Sequence, residues 1–493
     1  MTSPSHIPAR AVAAEIAAAL SAAGHIAYFA GGCVRDRLRG ETPTDYDIAT
    51  DATPATIRRL FPRALGVGEA FGVMLVRRHG RSVEVATFRS DGTYSDRRRP
   101  DAVSFGTPEQ DALRRDFTIN GLFEDPATGA VIDFVGGQED LRRNLLRAIG
   151  DPAARLREDP LRALRAVRFA ARFSLAIDPA TAGAVGDAAA LEGVSRERIG
   201  QEVRRMLGHA SRATAIAQLQ ELGLDGVVLG EPSFSAPLPR LGGLSGLEPT
   251  GWSGAQPAPE VAARAELPMA AWLLDRVHGR RALRASDARS LAQAGGLPEL
   301  LRSAIDRWSE RLVLSNAERQ ALGEMLLRFG PAIGLVDPIP EGGAPSSGIG
   351  RRGDAPPMRW ATLGVAARKR LAAGPWMQAA LALLETTDRA RAMQIRSEIT
   401  TLAAEPGGLS PTPLLSGDDL IAEGFAPGPR FATVLRAVYD AQLEARVRTG
   451  AEAIDLARRL SDGAAPVPGG ARAGRRAGRR PDGGLAPGNG AND

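Results

Sequence analysis

The residues best suited to chemistry lie near the start of the chain, where a turn with two adjacent glycines precedes two closely spaced aspartates. Gly31 and Gly32 follow an apolar run and can let backbone N–H groups approach an anion, while Arg35 can add a bidentate phosphate contact. Asp45 and Asp47 are two residues apart, so on a short strand both carboxylates project from one face. Paired carboxylates favour a bound cation, and Mg²⁺ is the usual one beside phosphates. The spacing therefore predicts phosphoryl or nucleotidyl transfer, with both aspartates as metal ligands.

A third carboxylate, Glu84, lies in a strand-like segment. Val83 and Val85 would point to one side of that strand and Glu84 to the other, so an adjacent strand could bring Glu84 to Asp45 and Asp47. Three carboxylates can hold two cations, one activating an attacking hydroxyl and one neutralising a triphosphate. We therefore predict that these three residues are catalytic. Taken alone, Glu84 would better suit a half-exposed strand position without a role in catalysis.

Composition and charge are those of an ordinary globular protein. Of the 493 residues, 44% are hydrophobic and 24% are charged, with no visible signal peptide or membrane span, so no membrane partner is expected. Cys33 is the only cysteine, which excludes disulfides within the chain and predicts a reducing, cytoplasmic location. The net charge of +5 suits a polyanionic partner, but Lys369 is the only lysine among 62 basic residues. That bias points to the base composition of the gene, so charge alone is weak evidence for RNA binding.

Strand-like and helical segments alternate up to about residue 150, and the pattern is helical from Asp151 almost to the end. An α/β head followed by helical domains is the simplest interpretation, and the sequence does not predict an oligomeric state. The predicted organisation is a catalytic head (1–150), a helical neck (151–215), a helical body (216–337) with an exposed Pro/Gly-rich insertion at 232–259, a linker (338–357), a helical tail (358–462) and a disordered Arg/Gly-rich C-terminus (463–493).

The uncommon string Arg114–Asn120, taken with the glycine turn and the aspartate pair, resembles class II tRNA nucleotidyltransferases and the related bacterial poly(A) polymerases. Three further segments also match that family, and all the matches occur in its order along the chain. These segments are Val83–Arg89, Asp133–Gly137 and Glu158–Phe169. The resemblance extends over residues 26–207. It implies a polymerase-beta-like α/β nucleotidyltransferase head followed by an all-α neck, body and tail.

The segment at 158–169 is similar to the nucleotide-selecting helix of that family. Asp159 and Arg162 are three residues apart, hence neighbours on one face of the predicted helix. A carboxylate can accept from the amino group of cytosine or adenine, and a guanidinium can donate to the ring edge of either base. Guanine and uracil place carbonyl oxygens there, and leaving the polar groups unpaired costs about 1–3 kcal/mol. The pair could therefore accept CTP and ATP while rejecting GTP and UTP.

The resemblance also implies a set of residues that bind the nucleotide. Asp116 and Asn120 would organise the site, although either could simply cap local backbone, and the arginines would otherwise form a solvated basic face. The implied nucleotide-binding residues are Gly31, Gly32, Arg35, Arg115, Asp116, Asn120, Asp159, Arg162, Arg165 and Arg168.

The activity implied by the resemblance is template-independent addition of CCA to the 3′ end of tRNA from CTP and ATP, with Mg²⁺ as cofactor and pyrophosphate as product. The segment Gly193–Ile199 resembles the tRNA nucleotidyltransferases rather than the poly(A) polymerases. The stretch Ser90–Leu113 has the length of a loop that helps such enzymes switch from C to A. Alternatives are a bacterial poly(A) polymerase, an enzyme adding only CC or only A, and a catalytically silent RNA-binding protein.

Overall fold

A seven-stranded mixed sheet occupies the N-terminal part of the protein, which we describe from a computed structural model. Its strands, in spatial order, are β3, β4, β5, β2, β1, β8 and β9. Strands β2 and β5 are parallel, and the other neighbours are antiparallel. The strand bounds are β1 Ala27–Ala30, β2 Asp47–Thr50, β3 Leu65–Gly68, β4 Val73–Arg78, β5 Arg81–Thr87, β8 Leu122–Glu124 and β9 Val131–Asp133. Two small ladders join β6 Arg89–Asp91 to β7 Val103–Phe105 and β10 Leu145–Leu146 to β11 Ala176–Ile177.

Helix α1 shields the core of this sheet. Its buried residues Val12, Ile16 and Leu20 belong to the same apolar cluster as Phe29 of β1 and Ile48 of β2. Because β1 and β2 are central strands, this packing fixes the two elements that carry the glycine turn and Asp47. The helices up to residue 187 are α1 Ala9–Ala22, α2 Gly32–Leu38, α3 Pro54–Leu60, α4 Pro108–Leu113, α5 Gly137–Arg142, α6 Pro152–Glu158, α7 Leu161–Phe173 and α8 Pro179–Asp187, with 3₁₀ turns at Glu69–Phe71 and Thr118–Asn120.

The described chain beyond residue 191 is helical. This change from a mixed sheet to helices confirms the predicted fold class. The helices are α9 Arg196–Leu207, α10 Arg212–Glu221, α11 Leu224–Leu229, α12 Pro239–Gly243, α13 Glu266–Arg284, α14 Leu297–Arg311, α15 Asn316–Gly323, α16 Gly330–Ile333, α17 Val365–Ala372, α18 Met377–Glu385, α19 Arg389–Ala404, α20 Gly417–Ala422, α21 Phe431–Leu443 and α22 Gly450–Asp462. A π-helical turn at Glu324–Phe329 and a 3₁₀ turn at Trp360–Thr362 complete the set.

The structure describes residues 7–91, 103–187, 191–245, 265–284, 296–336, 359–425, 427–428 and 430–462. Contacts divide the chain into two compact units, one running to residue 363 and including 371–401, the other joining 364–370 to the residues from 402 onward. Three predicted segments lie wholly or partly outside the described residues. They are the linker at 338–357, the C-terminus at 463–493, and residues 92–102 of the predicted loop Ser90–Leu113. Across the described ranges, no helix is both long enough and apolar enough to cross a membrane.

The Pro/Gly-rich segment that begins at residue 232 differs from our expectation of an exposed insertion. In its described part, Ala236, Leu241 and Leu244 are buried. Asp275 of α13 accepts hydrogen bonds from the backbone N–H groups of Arg240, at 3.1 Å, and Leu241, at 3.0 Å, at the start of α12. A buried carboxylate that satisfies free N–H groups holds this segment against α13. Residues 232–245 are therefore partly packed rather than wholly exposed, and residues 246–259 lie outside the described chain.

Candidate active site

The glycine turn joins β1 to α2 and lies close to the side chain of Arg115. Gly31 has φ of +71°, and its N–H donates to the carbonyl oxygen of Leu122 at 3.0 Å. A Cβ atom at Gly31 would lie 3.0 Å from Nη1 of Arg115. Both the left-handed backbone and the close guanidinium favour glycine at this position. The turn thus brings Arg115 against the end of β1.

Two of the three predicted catalytic carboxylates lie on adjacent strands. Asp47 is the first residue of β2, and because Ile48 pairs with Val85 in the parallel ladder, Asp47 lies beside Glu84 of β5. Asp45 precedes the strand, so the prediction that both aspartates occupy one strand is wrong. On the β1 side, the physical reason is that β1 turns away into α2 directly after Ala30, the partner of Asp47, so earlier residues have no β1 residue to pair with.

The electrostatics of this acidic edge suit a hard cation. Displacement of water by the surrounding protein and the charges of Glu84 and Asp45 raise the pKa of Asp47 to about 6, against the lowering influence of Arg115. Like charges that raise a pKa in this way are relieved by a divalent cation, for which carboxylate oxygens are the preferred ligands. Among the described residues, no three His, Cys, Asp or Glu side chains are gathered closely enough to hold a metal by themselves. The donor chemistry fits a metal, and further ligands would come from water or substrate oxygens.

A chain of hydrogen bonds connects the glycine turn to helix α7. The buried Arg35 donates from Nη1 to Oδ1 of Asn120 at 2.6 Å, and Asn120 donates from Nδ2 to Oδ1 of Asp116 at 3.0 Å. Arg165 of α7 donates from Nε and Nη2 to Oδ2 of Asp116, at 2.8 and 2.5 Å. Burial alone would raise the pKa of Asp116, but Arg165 and the hydrogen bonds of Asn120 and the Phe117 N–H lower it below its usual value. The network fixes the arginines before any ligand arrives.

Asp111 is a site residue that the sequence analysis missed. It is buried at the end of α4, where it accepts from Arg114 at 2.6 and 2.8 Å and from Arg115 at 2.9 and 3.1 Å. Burial would raise its pKa, but Arg115 and Arg114 hold it below the usual value. Arg115 also donates from Nη1 to the carbonyl oxygen of Asn120 at 3.1 Å. The helical spacing of three and four residues between Asp111 and these arginines was the available sign.

Asp159 and Arg162 do not share a helix. Asp159 is extended, with φ of −145° and ψ of 96°, in the break between α6 and α7. Pro160 explains this, because a proline disfavours helical geometry in the residue before it. Arg162 donates to Oε2 of Glu158 at 2.9 Å, while Asp159 accepts from Nη2 of Arg198 at 2.7 Å. The predicted single helical face is therefore wrong, and each side chain has its own partner.

A cavity of about 560 Å³ collects most of the predicted residues. Three predicted residues do not line it: Asp45, Glu84 and Arg168, the last of which donates to Glu202 at 2.6 Å beside a different cavity. Arg89, Arg114 and Phe169 line it although the sequence analysis assigned them no role. The predicted residues that line it are Gly31, Gly32, Arg35, Asp47, Arg115, Asp116, Asn120, Asp159, Arg162 and Arg165. Six arginines and one carboxylate-lined edge would suit a polyanion beside a metal.

The chain is similar in sequence to known proteins. Residues 27–147 match the poly A polymerase head domain. A CCA-adding enzyme of Geobacillus stearothermophilus is 42% identical over 209 residues, 42% of this chain and 52% of the relative. A second, of Limosilactobacillus fermentum, is 45% identical over 204 residues, 41% of this chain and 49% of the relative. The chain thus spans about half the length of the curated relatives it matches.

Solved structures extend the similarity beyond the aligned sequence. The CCA-adding enzyme of Bacillus stearothermophilus in complex with CTP has a TM-score of 0.65 and 26% identity, covering 92% of this chain and 98% of that one. The Thermotoga maritima CCA-adding enzyme complexed with tRNA has a TM-score of 0.57 at 16% identity, covering 91% of this chain and 95% of that one. At this identity the similarity shows the fold alone. Residues 27–147 of this protein therefore match a poly A polymerase head domain, in a chain similar in sequence and fold to CCA-adding enzymes.

Proposed function

We propose that this protein adds CCA to the 3′ end of tRNA without a nucleic-acid template, using CTP and ATP and releasing pyrophosphate. The observation that carries this proposal is the cavity in which Asp47 faces a preorganised cluster of arginines, with Asp159 and Arg162 at its wall. An acidic edge beside a polyanion pocket suits phosphoryl chemistry, and an acceptor–donor pair at the wall suits reading a base.

The reaction forms one bond and breaks one. The 3′-oxygen of the RNA attacks the α-phosphorus of CTP or ATP, the bond from that phosphorus to the bridging oxygen breaks, and the hydroxyl proton is lost to solvent. Asp47, Glu84 and Asp45 would hold Mg²⁺, which when bound activates the hydroxyl and neutralises the triphosphate. Arg35 and Arg115 would bind phosphate oxygens, since their side chains are already fixed by Asn120 and Asp111. This part of the proposal assigns positioning and charge neutralisation to the protein.

Base selection would depend on Asp159 and Arg162, each oriented by a neighbour. Arg198 occupies one oxygen of Asp159, and the N–H of Leu161 donates to the other at 3.2 Å, yet a carboxylate has room for a further donor. The remaining N–H groups of Arg162 are available to a ring nitrogen or carbonyl. The amino groups of cytosine and adenine would therefore fit beside Asp159, and the carbonyl oxygens of guanine and uracil would not.

The rest of the chain would serve the RNA. We retain the neck at 151–215, the body at 216–337 and the tail at 358–462 as the elements that bind the tRNA acceptor arm, by shape and phosphate contacts as duplex RNA is usually bound. We also propose a cytoplasmic location, because Cys33 is a buried free thiol and the sole cysteine.

The test is incorporation of labelled CTP and ATP, separately and together, into tRNAs ending at the discriminator base, after the first C and after CC. Asp47→Asn removes the central carboxylate charge, and Asp306→Asn, at an exposed body position, is the matched control. We expect C, C and a single A from the wild type and the control, and no pyrophosphate from Asp47→Asn.

Other outcomes would assign other functions. The match to a poly A polymerase head domain makes a poly(A) polymerase the main rival, and long A tails with no use of CTP would establish it. Stopping after CC, or acting only on the CC-ended tRNA, would indicate a split pathway. Binding of tRNA without any release of pyrophosphate would indicate a silent RNA-binding protein.

A further inference from the structure

A second cavity, of about 850 Å³, lies among the helices that follow the head and shares no lining residue with the first. Arg168 and Arg172 of α7 line one wall, and Arg204 and Arg205 of α9 line another. Glu266, the first residue of α13, also lines the cavity. Helix α7 therefore has one face in each cavity.

The walls of this second cavity carry more positive than negative charge. Arg168 and Arg205 share Glu202, each at 2.6 Å, and Arg204 donates to Glu318 at 2.5 Å. Arg172 is exposed, lies over the ring of Phe173 at 5.1 Å, and has no carboxylate partner among the described residues. An anion bound at Arg172 and Arg205 would balance the excess positive charge of these walls.

Glu266 is the second, independent sign of a ligand. Its exposed fraction is 4%, and within the described chain Oε2 is buried without a hydrogen-bond partner. A buried polar oxygen without a donor is destabilising, so such atoms in folded proteins usually have a partner. Burial raises the pKa of Glu266 and the charge of Glu318 adds to this, while hydrogen bonds from the backbone N–H groups of Glu266 and Ala265 and the charge of Arg204 lower it. Oε2 of Glu266, at the wall of a basic cavity, therefore lacks a hydrogen-bond donor within the described chain.

We propose that this cavity binds one ribonucleotide of the RNA strand, with its phosphate at Arg172 and Arg205 and its 2′-hydroxyl donating to Oε2 of Glu266. The inference rests on the proposed function, which makes RNA the partner. An RNA strand presents an anion and a neutral donor side by side at every residue, whereas DNA lacks the donor. Glu266 then distinguishes RNA from DNA at a point outside the nucleotide cavity.

The experiment is a binding cycle with the full-length protein and no CTP or ATP. A fluorescent tRNA acceptor minihelix is compared with versions that carry a single 2′-deoxy nucleotide, moved one position at a time along the 3′ strand. Glu266→Met removes the acceptor at similar length, and Glu266→Leu, which also lacks an acceptor, is a second variant should the first fold poorly. Glu299→Met, at an exposed site in the first turn of α14, is the matched control.

For the wild type and Glu299→Met, we expect one deoxy position to weaken binding about fivefold, the effect of one hydrogen bond. In Glu266→Met the same position should have no effect, so the two changes are not additive. Arg172→Ala should weaken binding of every minihelix and reduce the salt slope by about one. The exposed Arg319→Ala should not.

The inference is overturned if every deoxy effect persists in folded Glu266 variants, or if no single position has an effect. It is also overturned if Glu266→Met changes only thermal stability. Nucleotide addition is measured separately on tRNA, so loss of this inference leaves the proposed function intact when CCA is still added. Failure of the wild type to add any nucleotide would instead remove the proposed function.

Discussion

Asp116 and Arg165 are 49 residues apart in the chain, and both Nε and Nη2 of Arg165 donate to Oδ2 of Asp116. Asp116 follows helix α4 in the head domain, and Arg165 is in the middle of α7, where the helical part of the chain begins. The same carboxylate binds Asn120, which binds Arg35 beside the glycine turn. The position of α7 relative to the sheet is therefore coupled to the geometry of the candidate nucleotide pocket.

Replacement of Asp116 by asparagine should reduce both stability and activity. The variant leaves Arg165 without its charged partner, and charge-assisted hydrogen bonds of this kind contribute about 1.5–3 kcal/mol. We expect a lower midpoint of thermal unfolding and a raised KM for CTP and ATP. Asp306→Asn, which breaks an exposed ion pair, should change neither by a measurable amount. Equal effects of the two substitutions would contradict the coupling.

The contribution of Asp116 to stability should disappear in acid. Its pKa in the folded protein is below the ordinary value of 3.8, so the ion pair contributes fully above that pH. As pH falls through the depressed pKa, the folded protein takes up the proton and the contribution is lost. Denaturant unfolding of the wild type and Asp116→Asn should give a constant difference from pH 7 to about 5 and a shrinking one below about 3.8. A difference that grows in acid would contradict this sign.

Arg198→Ala should relax nucleotide selection. Arg198 binds Asp159 at 2.7 Å and fixes a carboxylate that lies in the extended break between two helices. We expect misincorporation of GMP and UMP to rise about tenfold relative to CMP and AMP, equivalent to about 1.4 kcal/mol of lost discrimination. Arg157→Ala, at an exposed position of α6, is the control. An unchanged nucleotide preference with a lower overall rate would assign Arg198 to folding alone.

Gly31→Ala should inactivate the protein for reasons of space as well as backbone conformation. Gly31 and Gly24 both have positive φ, so alanine is strained at either position, and the ψ of −120° adds to the strain at Gly31. Only at Gly31 would the new Cβ meet another group, Nη1 of Arg115 at 3.0 Å, whereas Gly24 has no atom within 4 Å. Both variants should lose thermal stability, and only Gly31→Ala should lose nucleotide addition. Comparable activity in the two would show that Arg115 moves without consequence.

Metal removal should abolish nucleotide addition, and Mg²⁺ should restore it. Glu84→Gln takes one charge from the acidic edge beside Asp47, so we expect about tenfold more Mg²⁺ to be needed for half-maximal activity. Glu139→Gln, at an exposed carboxylate that pairs with Arg142 and Arg143, should keep the wild-type requirement. Full activity in a chelator would exclude Asp47 and Glu84 from metal binding.

The sequence alone determined the features that depend on short spacing. The mixed α/β head and the helical remainder followed from local patterns, and most of the ten predicted residues that line one cavity followed from the resemblance of short motifs to a known family. Local rules also set the glycine turn and the helix break at Pro160. We overlooked that break, because we predicted an uninterrupted helical face for Asp159 and Arg162.

Tertiary structure decided which charges meet. Asp116 pairs with Arg165, Asp159 with Arg198, and Arg168 with Glu202, and none of these distant choices follows from spacing because arginine is abundant throughout the chain. The register of β2 against β5 placed Asp47 beside Glu84, and the turn after β1 left Asp45 outside the strand. Backbone geometry is restricted by neighbouring residues, whereas an ion pair forms wherever packing brings opposite charges out of water, and only the folded chain specifies that meeting.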